Sequence, residues 1–538
     1  MPPWPHEHGL LAAFPLMEQS RRRRENGMPV TSKRPKLLIF SHLSNEVHAT
    51  GAEKLLLVFA KELQRLFECA LVVPKEGAVS RQARDVGLRT AVLGIPLCFA
   101  MKNGETRLER ELEAMRRHPV WDRLIELLQR ERPAYVWVNT CVHPLPAMAA
   151  KALGIPVIWA LMETIEADSG RDGPGRPKAA AVISAYSDAI VGISLATLAP
   201  FGPESGLKKA IVLPPFRSPD DLEPANWLSS RSRLRRSNGW AEHHRVAGFV
   251  ASMLHPQKGL KEFVQAMIPL ALQDPELRLL IAGGAAEDDA YVRSCLELAR
   301  GAGLAHRFAW VRYTEQIESL YPALDLVVVP SLAEAGFGMP ALEGMLFGKP
   351  VVAFASGGLT ELMRATGNQD YLVAPGDIAG LTKAAAELLA SEALRLEVGR
   401  RSMRMAQRVY GVEAFRERLD ALRAVLPMPE EPLSGLVRGI GPTVYLLEKG
   451  RKRPFPSPRA LIEGGFRFED VRAIPNEKLA LIPLGLPMDE PKPPDKRPKG
   501  RRKRPRRTKR GKRRAKRMNR RSGKLPKRAR KRGASRKA

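Results

Sequence analysis

Apolar residues along the chain fall into two recurring arrangements. Short continuous runs rich in Val, Ile and Leu alternate with longer stretches in which apolar positions recur every three to four residues. The first arrangement is that of a strand buried on both faces, the second that of a helix with one buried stripe. "KLLIFSHLS" (36–44) opens a strand and a loop, and "TGAEKLLLVFAKELQRL" follows at helical spacing. "CALVVPKEG", "TAVLGIP", "AYVWVNT", "IPVIWALME" and "DAIVGIS" continue the strand series, with helical stretches such as "VWDRLIELLQRE" between them. From Leu213 to Asn238 the pattern breaks into a Pro-, Ser- and charge-rich crossing. A second series then begins with the strand "RVAGFVASM", the helix "GLKEFVQAMIPLAL" and the strands "LRLLIAGG" and "FAWVRY". It closes on the helices "DIAGLTKAAAELLAS" and "LRLEVGRRSMRMAQRVY". Two consecutive β/α series predict two doubly wound domains with a cleft between them.

One stretch of the second series carries chemistry as well as pattern. "PSLAEAGFGMPALEGMLFGKPVV" (330–352) follows the strand "LDLVVVPS". Pro340 stands where a helix starts without losing a hydrogen bond, Gly348 where it stops, and "PVVAFA" is the next strand. In open α/β sheets ligands bind beyond the carboxyl ends of the strands, and helix N-termini favour anions. Glu334 falls in the loop and Glu343 about one turn into the helix, facing the same crevice. Carboxylates beside an anion site accept hydrogen bonds from sugar hydroxyls, so the pair suggests a nucleotide sugar.

At 538 residues the chain exceeds what one core holds. The four cysteines, Cys69, Cys98, Cys141 and Cys295, show no metal spacing and fit a reduced, cytosolic protein. No stretch reads as membrane-spanning, and Arg21 to Arg24 follow the weakly apolar N-terminal residues instead of preceding them, unlike a signal peptide. The net charge of +31 is a property of the tail. From Asp489 to Ala538 there are 27 Lys and Arg against three acids, which accounts for +24 and leaves about +7 for the other 488 residues.

The ordered cues "TGAEKLLL", "DAIVGIS", "HPQKGLKEFVQA", "LDLVVVPS", the two-glutamate stretch, "GKPVVA", "GGLTEL" and "YLVAPGD" together resemble family 4 glycosyltransferases. That resemblance covers about residues 36–426. It implies the GT-B fold, two facing Rossmann-like domains, and a retaining, metal-independent transfer from a nucleotide-sugar donor without any cofactor. Position by position it implies that Gly51 lets backbone approach the donor's diphosphate and sugar, and that Lys258 neutralises the diphosphate. Glu343 then accepts the ribose hydroxyls, Phe337, Gly338 and Met339 form the turn that presents backbone N–H groups, and Glu334 stands near the transferred sugar as the catalytic candidate.

Three departures from the family pattern stand out. Eight residues, Ala335 to Leu342, separate the two glutamates where the family has seven. Either the loop bulges beside Gly336 and Glu334 still reaches the sugar, or Ala335 occupies the acid's place. Met253 stands where many relatives carry an arginine that shares the diphosphate charge, so Lys258 acts alone or borrows another cation. Met162-Glu163 replaces a His dipeptide; Glu163, with His143 as the nearest histidine, is the acceptor-side candidate.

Beyond Pro427 the strands shorten. "TVYLLEKG" and "RKRPFPS" predict a hairpin with a Lys-Gly turn, "SPRALIEGG" a short helix, and Phe466 with Phe468 a small core. This stretch resembles a small module appended to bacterial envelope proteins, which implies docking and not catalysis. The expected organisation is a disordered 1–35, an acceptor-side domain at 36–215, a linker at 216–240, a nucleotide-sugar domain at 241–426, an α+β module at 434–487 and a disordered polybasic tail at 488–538. The expected activity is transfer of a sugar to a cell-envelope glycan or lipid-linked acceptor. The expected site of action is the cytoplasm, at the inner membrane surface, with the tail on anionic lipid or, as the lesser alternative, nucleic acid. The competing expectation is a catalytically silent GT-B scaffold that acts through its module and tail.

Overall fold

The computed structural model describes residues 34–46, 51–103, 107–165, 178–202, 210–286, 289–312 and 314–490. The disorder expected of residues 1–33 and of the tail from 491 onward falls outside the described residues.

The first series folds into a seven-stranded parallel sheet. Its strands are β1 (Lys36–Phe40), β2 (Glu68–Val73), β3 (Arg89–Val92), β4 (Tyr135–Asn139), β5 (Val157–Leu161), β6 (Ala189–Gly192) and β7 (Ala210–Val212), in the order β3-β2-β1-β4-β5-β6-β7. Each central strand is buried on both faces, which is why it reads as a continuous apolar run. In β1, Leu37 and Ile39 enter one core cluster while Leu38 and Phe40 enter another. The second series forms β8 (Arg245–Met253), β9 (Leu277–Gly284), β10 (Phe308–Val311), β11 (Leu326–Val329), β12 (Val351–Phe354) and β13 (Leu372–Val373), ordered β10-β9-β8-β11-β12-β13. Both sheets reverse direction of winding beside their first strand, so each has its crevice at the same kind of edge.

The span 216–240 is more than a strap. Residues Trp227–Ser237 form a helix whose Arg235 is fully buried, with its guanidinium 2.6 Å from the Asp325 carboxylate and bonded to the carbonyls of Ala241, Glu242, His244 and Ala323. At the far end of the second domain, helix Val412–Val425 returns to the first. Phe415 packs on Phe59 and Phe216, with ring centroids 4.9 and 4.4 Å away, and Arg416 pairs with Glu62 at 2.7 Å.

The C-terminal stretch forms a four-stranded sheet of β14 (Gly435–Arg438), β15 (Val444–Glu448), β16 (Arg451–Pro454) and β17 (Arg472–Ala473), ordered β16-β15-β14-β17. The turn between β15 and β16 takes positive φ at Lys449 (49°) and Gly450 (66°), the backbone a two-residue hairpin needs to match strand twist. Phe466 meets Phe455 edge-on at 5.5 Å, but Phe468 is 48% exposed and does not close that core. The hairpin turn is fastened to helix Val120–Glu131 of the first domain. Trp121 Nε1 donates to the Lys449 carbonyl (3.2 Å), and the Arg451 guanidinium lies over the Trp121 ring.

Candidate active site

The carboxyl ends of the two sheets face one cavity of about 1420 Å³. From the first domain it is lined by the start of helix Gly51–Leu63, Lys102, the Met162–Ile165 turn after β5, and residues 193–202 around the helix Leu195–Leu198. From the second domain come the end of β8, the His255–Lys258 turn, and the loop and helix start from Ser331 to Glu343.

Lys258 ends a short turn after β8. Gly259 follows at φ +81°, and a Cβ there would lie 1.9 Å from the Pro330 carbonyl, so only glycine lets this turn press against the end of β11. The turn points Lys258 into the cavity. Burial lowers its ammonium pKa below the ordinary lysine value, and among the described residues no carboxylate pairs with it. Such a group is a cation waiting for an anion.

The 330–338 loop is shaped by three glycines. Gly338 caps helix Met339–Leu346 at φ +108° and lies against Leu359. The Ala335 carbonyl accepts the Gly358 N–H at 2.8 Å, and Gly336 leaves no room for a Cβ beside the Met162 carbonyl of the first domain. The loop is therefore held from both sides. Glu334 is exposed on the cavity wall, and Ala335 lines the same wall. Phe337 turns its ring inward onto Tyr410, with centroids 5.3 Å apart, and presents backbone to the cavity. Met339 begins the helix and lines the cavity beside it.

Glu343 sits one turn into that helix and is 7% exposed. Its Oε1 accepts from the Arg217 guanidinium at 2.8 Å, and its Oε2 lies 3.0 Å from the Tyr321 hydroxyl. Burial, reinforced by Glu343, holds the Tyr321 phenol well above its ordinary pKa, so it acts as a donor. A carboxylate oxygen has two lone-pair directions, so each oxygen of Glu343 can accept one more bond.

Of the acceptor-side candidates, Glu163 lines the cavity and His143 does not. Glu163 Oε1 accepts the Cys141 backbone N–H at 2.9 Å, which fixes its carboxylate at the end of β4. His143 is 1% exposed, and burial, with His42 nearby, pushes its imidazole down to about 3, so it stays neutral. Gly51 is exposed at its helix start with no atom within 4 Å of a would-be Cβ, which leaves backbone accessible to a ligand. Met253 is 56% exposed and is not among the cavity residues.

Sequence reasoning missed three participants. Arg217 and Tyr321 hold Glu343, and their contexts, "PPFRSPDD" and "LYPALD", carry no periodicity to single them out. Glu361 bridges the domains: its carboxylate accepts the N–H groups of Leu195 and Ala196 at 2.8 and 2.7 Å, satisfying the open end of a helix in the other domain. "GGLTEL" marked its neighbourhood but not this contact.

Known proteins share this architecture. Anabaena HepE, solved with UDP and glucose, superposes with a TM-score of 0.57 at 20% identity, over 73% of this chain and 100% of that one. A glycosyltransferase from Rickettsia africae gives 0.59 at 13% identity, over 73% and 99%. Among curated proteins, D-inositol 3-phosphate glycosyltransferase of Corynebacterium urealyticum is 33% identical over 202 residues, 37% of this chain and 47% of that protein. The 2-deoxystreptamine glucosyltransferase of Streptomyces kanamyceticus is 32% identical over 182 residues, 33% and 44% of the two. The chain thus spans less than half the length of these curated relatives. Residues 244–391 match the family described as "Glycosyl transferases group 1". Lys258, Glu334 and Glu343 all lie inside that stretch, so the part of this GT-B fold that resembles glycosyl transferases group 1 is the part that carries them.

Proposed function

We propose that the protein is a retaining glycosyltransferase that transfers a sugar from a nucleotide-sugar donor to a cell-envelope glycan or lipid-linked acceptor. The observation that carries this reading is the joint presence, in one interdomain cavity, of a desolvated Lys258, without a carboxylate partner among the described residues, and a buried Glu343 with acceptor capacity to spare. One suits a diphosphate and the other ribose hydroxyls. UDP and glucose in HepE support the same class of donor. In this mechanism the donor's ribose bonds Glu343, and Lys258 with the Gly338–Met339 N–H groups takes up the charge that develops on the leaving diphosphate. Glu334 stands beside the transferred sugar, and the acceptor hydroxyl enters from the Glu163 side onto the same face of the sugar that the diphosphate leaves. Positioning and electrostatics supply the acceleration, and no metal or cofactor is needed.

Release of nucleoside diphosphate from a panel of nucleotide sugars tests this reading. Wild type is expected to turn over one donor class equally with and without EDTA, and Glu343→Ala or Lys258→Ala to lose most of that turnover. Turnover abolished by EDTA and restored by magnesium would overturn the metal-independent mechanism. A second reading, the catalytically silent scaffold, is favoured by the exposed Met253 where relatives place a charge. It predicts donor binding without turnover.

A further inference from the structure

Arg217 lies in neither Rossmann-like sheet. It belongs to the crossing after β7, yet its side chain lines the cavity. A guanidinium has five N–H donors. Among the described residues Arg217 makes one side-chain hydrogen bond, to Glu343 Oε1 at 2.8 Å, and its buried Nε has no partner. The remaining donors are thus held in place by Glu343 without being consumed by it. Arg217, Lys258 and Glu343 line the same cavity, so a nucleotide whose ribose meets Glu343 shares that cavity with both cations. A diphosphate carries more than one negative charge, and Met253 supplies none to help Lys258.

We propose that Arg217 is the second cation of the donor site, binding the phosphate nearest the ribose and sharing the diphosphate charge with Lys258. The proposal rests on the donor-site reading above and adds to it the residue and the part of the ligand it reads. Glu343 orients the guanidinium as well as the ribose, and a charge usually supplied from within the nucleotide domain comes here from the interdomain crossing.

Calorimetric titration of the full chain with UDP, GDP, ADP, CDP and dTDP, and with each matching nucleoside, tests it. Wild type is expected to bind one diphosphate more tightly than its nucleoside. Arg217→Gln is expected to lose about tenfold or more of the diphosphate affinity, the loss of a charge-assisted hydrogen bond, while nucleoside affinity stays within about twofold. Arg217→Lys should recover part of the loss. If Arg217 merely propped Glu343, nucleoside and diphosphate affinity would fall together, and the proposal would be wrong. Unchanged diphosphate binding in Arg217→Gln, with binding lost in Lys258→Ala, would overturn it while leaving the donor site intact. If wild type binds none of the diphosphates, both readings fall. Should Arg217→Gln fail to fold, the Nε–H signal of Arg217 in arginine-labelled wild type is the second readout. That signal should shift further with the diphosphate than with the nucleoside, whose ribose reaches Arg217 only through Glu343; no shift with the diphosphate, or the same shift with both, contradicts the proposal.

Discussion

Lys258 owes its chemistry to what surrounds it. Burial favours the neutral amine and lowers its pKa below the ordinary 10.5, whereas a bound diphosphate favours the ammonium. Donor affinity is therefore full below the lowered pKa and lost as pH rises through it, before an ordinary lysine would titrate. Dissociation constants measured from neutral pH upward should show this loss, and Lys258→Arg should move it to higher pH because a guanidinium stays charged. Affinity that stays flat until an exposed lysine would titrate would exclude Lys258 from the donor site. Glu334 has a different expected signature. Glu334→Gln should lower kcat by at least tenfold with nucleotide affinity unchanged, as for a group that acts beside the transferred sugar; full activity would remove its catalytic role. Lys258 and Glu343 were legible in the sequence because "HPQKG" and the two-glutamate stretch fix their places relative to strand ends. Arg217 was not, since its partner lies 126 positions away and only the fold brings the two together.

The turns that carry these residues are as constrained as the residues themselves. Gly259 and Gly338 both have φ in the left-handed region, and a Cβ at either would collide with the Pro330 carbonyl or the Leu359 side chain. Alanine at either position should cost about 1–3 kcal/mol in urea unfolding, whereas Gly51→Ala, with open space around it, should leave stability within about 0.5 kcal/mol. Equal losses at all three sites would mean that the turns are not held as described. Strands such as β8 and β9 match their sequence runs because their middles are largely buried, which makes each read as a continuous apolar run. The short edge strands β7 and β17, and the helix Trp227–Ser237, escaped notice. The strands are too short to show a run, and "WLSSRSRLRRS" buries only Ser230 and Arg235, so it has no apolar stripe.

At the scale of the whole molecule, two sheets face one cavity, a returning helix and the bridging Glu361 tie their domains together, and a small sheet is fastened to the outer face of the first domain through Trp121. Among the described residues no helix is long and apolar enough to cross a membrane. If the protein works at an anionic lipid surface, the tail is the part with the charge to hold it there, by electrostatic attraction alone. Deleting residues 491–538 should abolish salt-sensitive binding to phosphatidylserine vesicles and leave donor hydrolysis intact; tight RNA binding with no vesicle binding would assign the tail to nucleic acid instead. The division into two alternating halves and a basic tail was plain from composition and periodicity, while the Glu361 bridge was not, because contacts between domains leave no periodic trace in either. The most direct measurement of donor recognition is calorimetry of wild type and Lys258→Ala against a panel of nucleotide sugars. One nucleotide-sugar class should bind wild type and bind Lys258→Ala at least about tenfold more weakly; no binding to wild type, or equal binding to both, would contradict it.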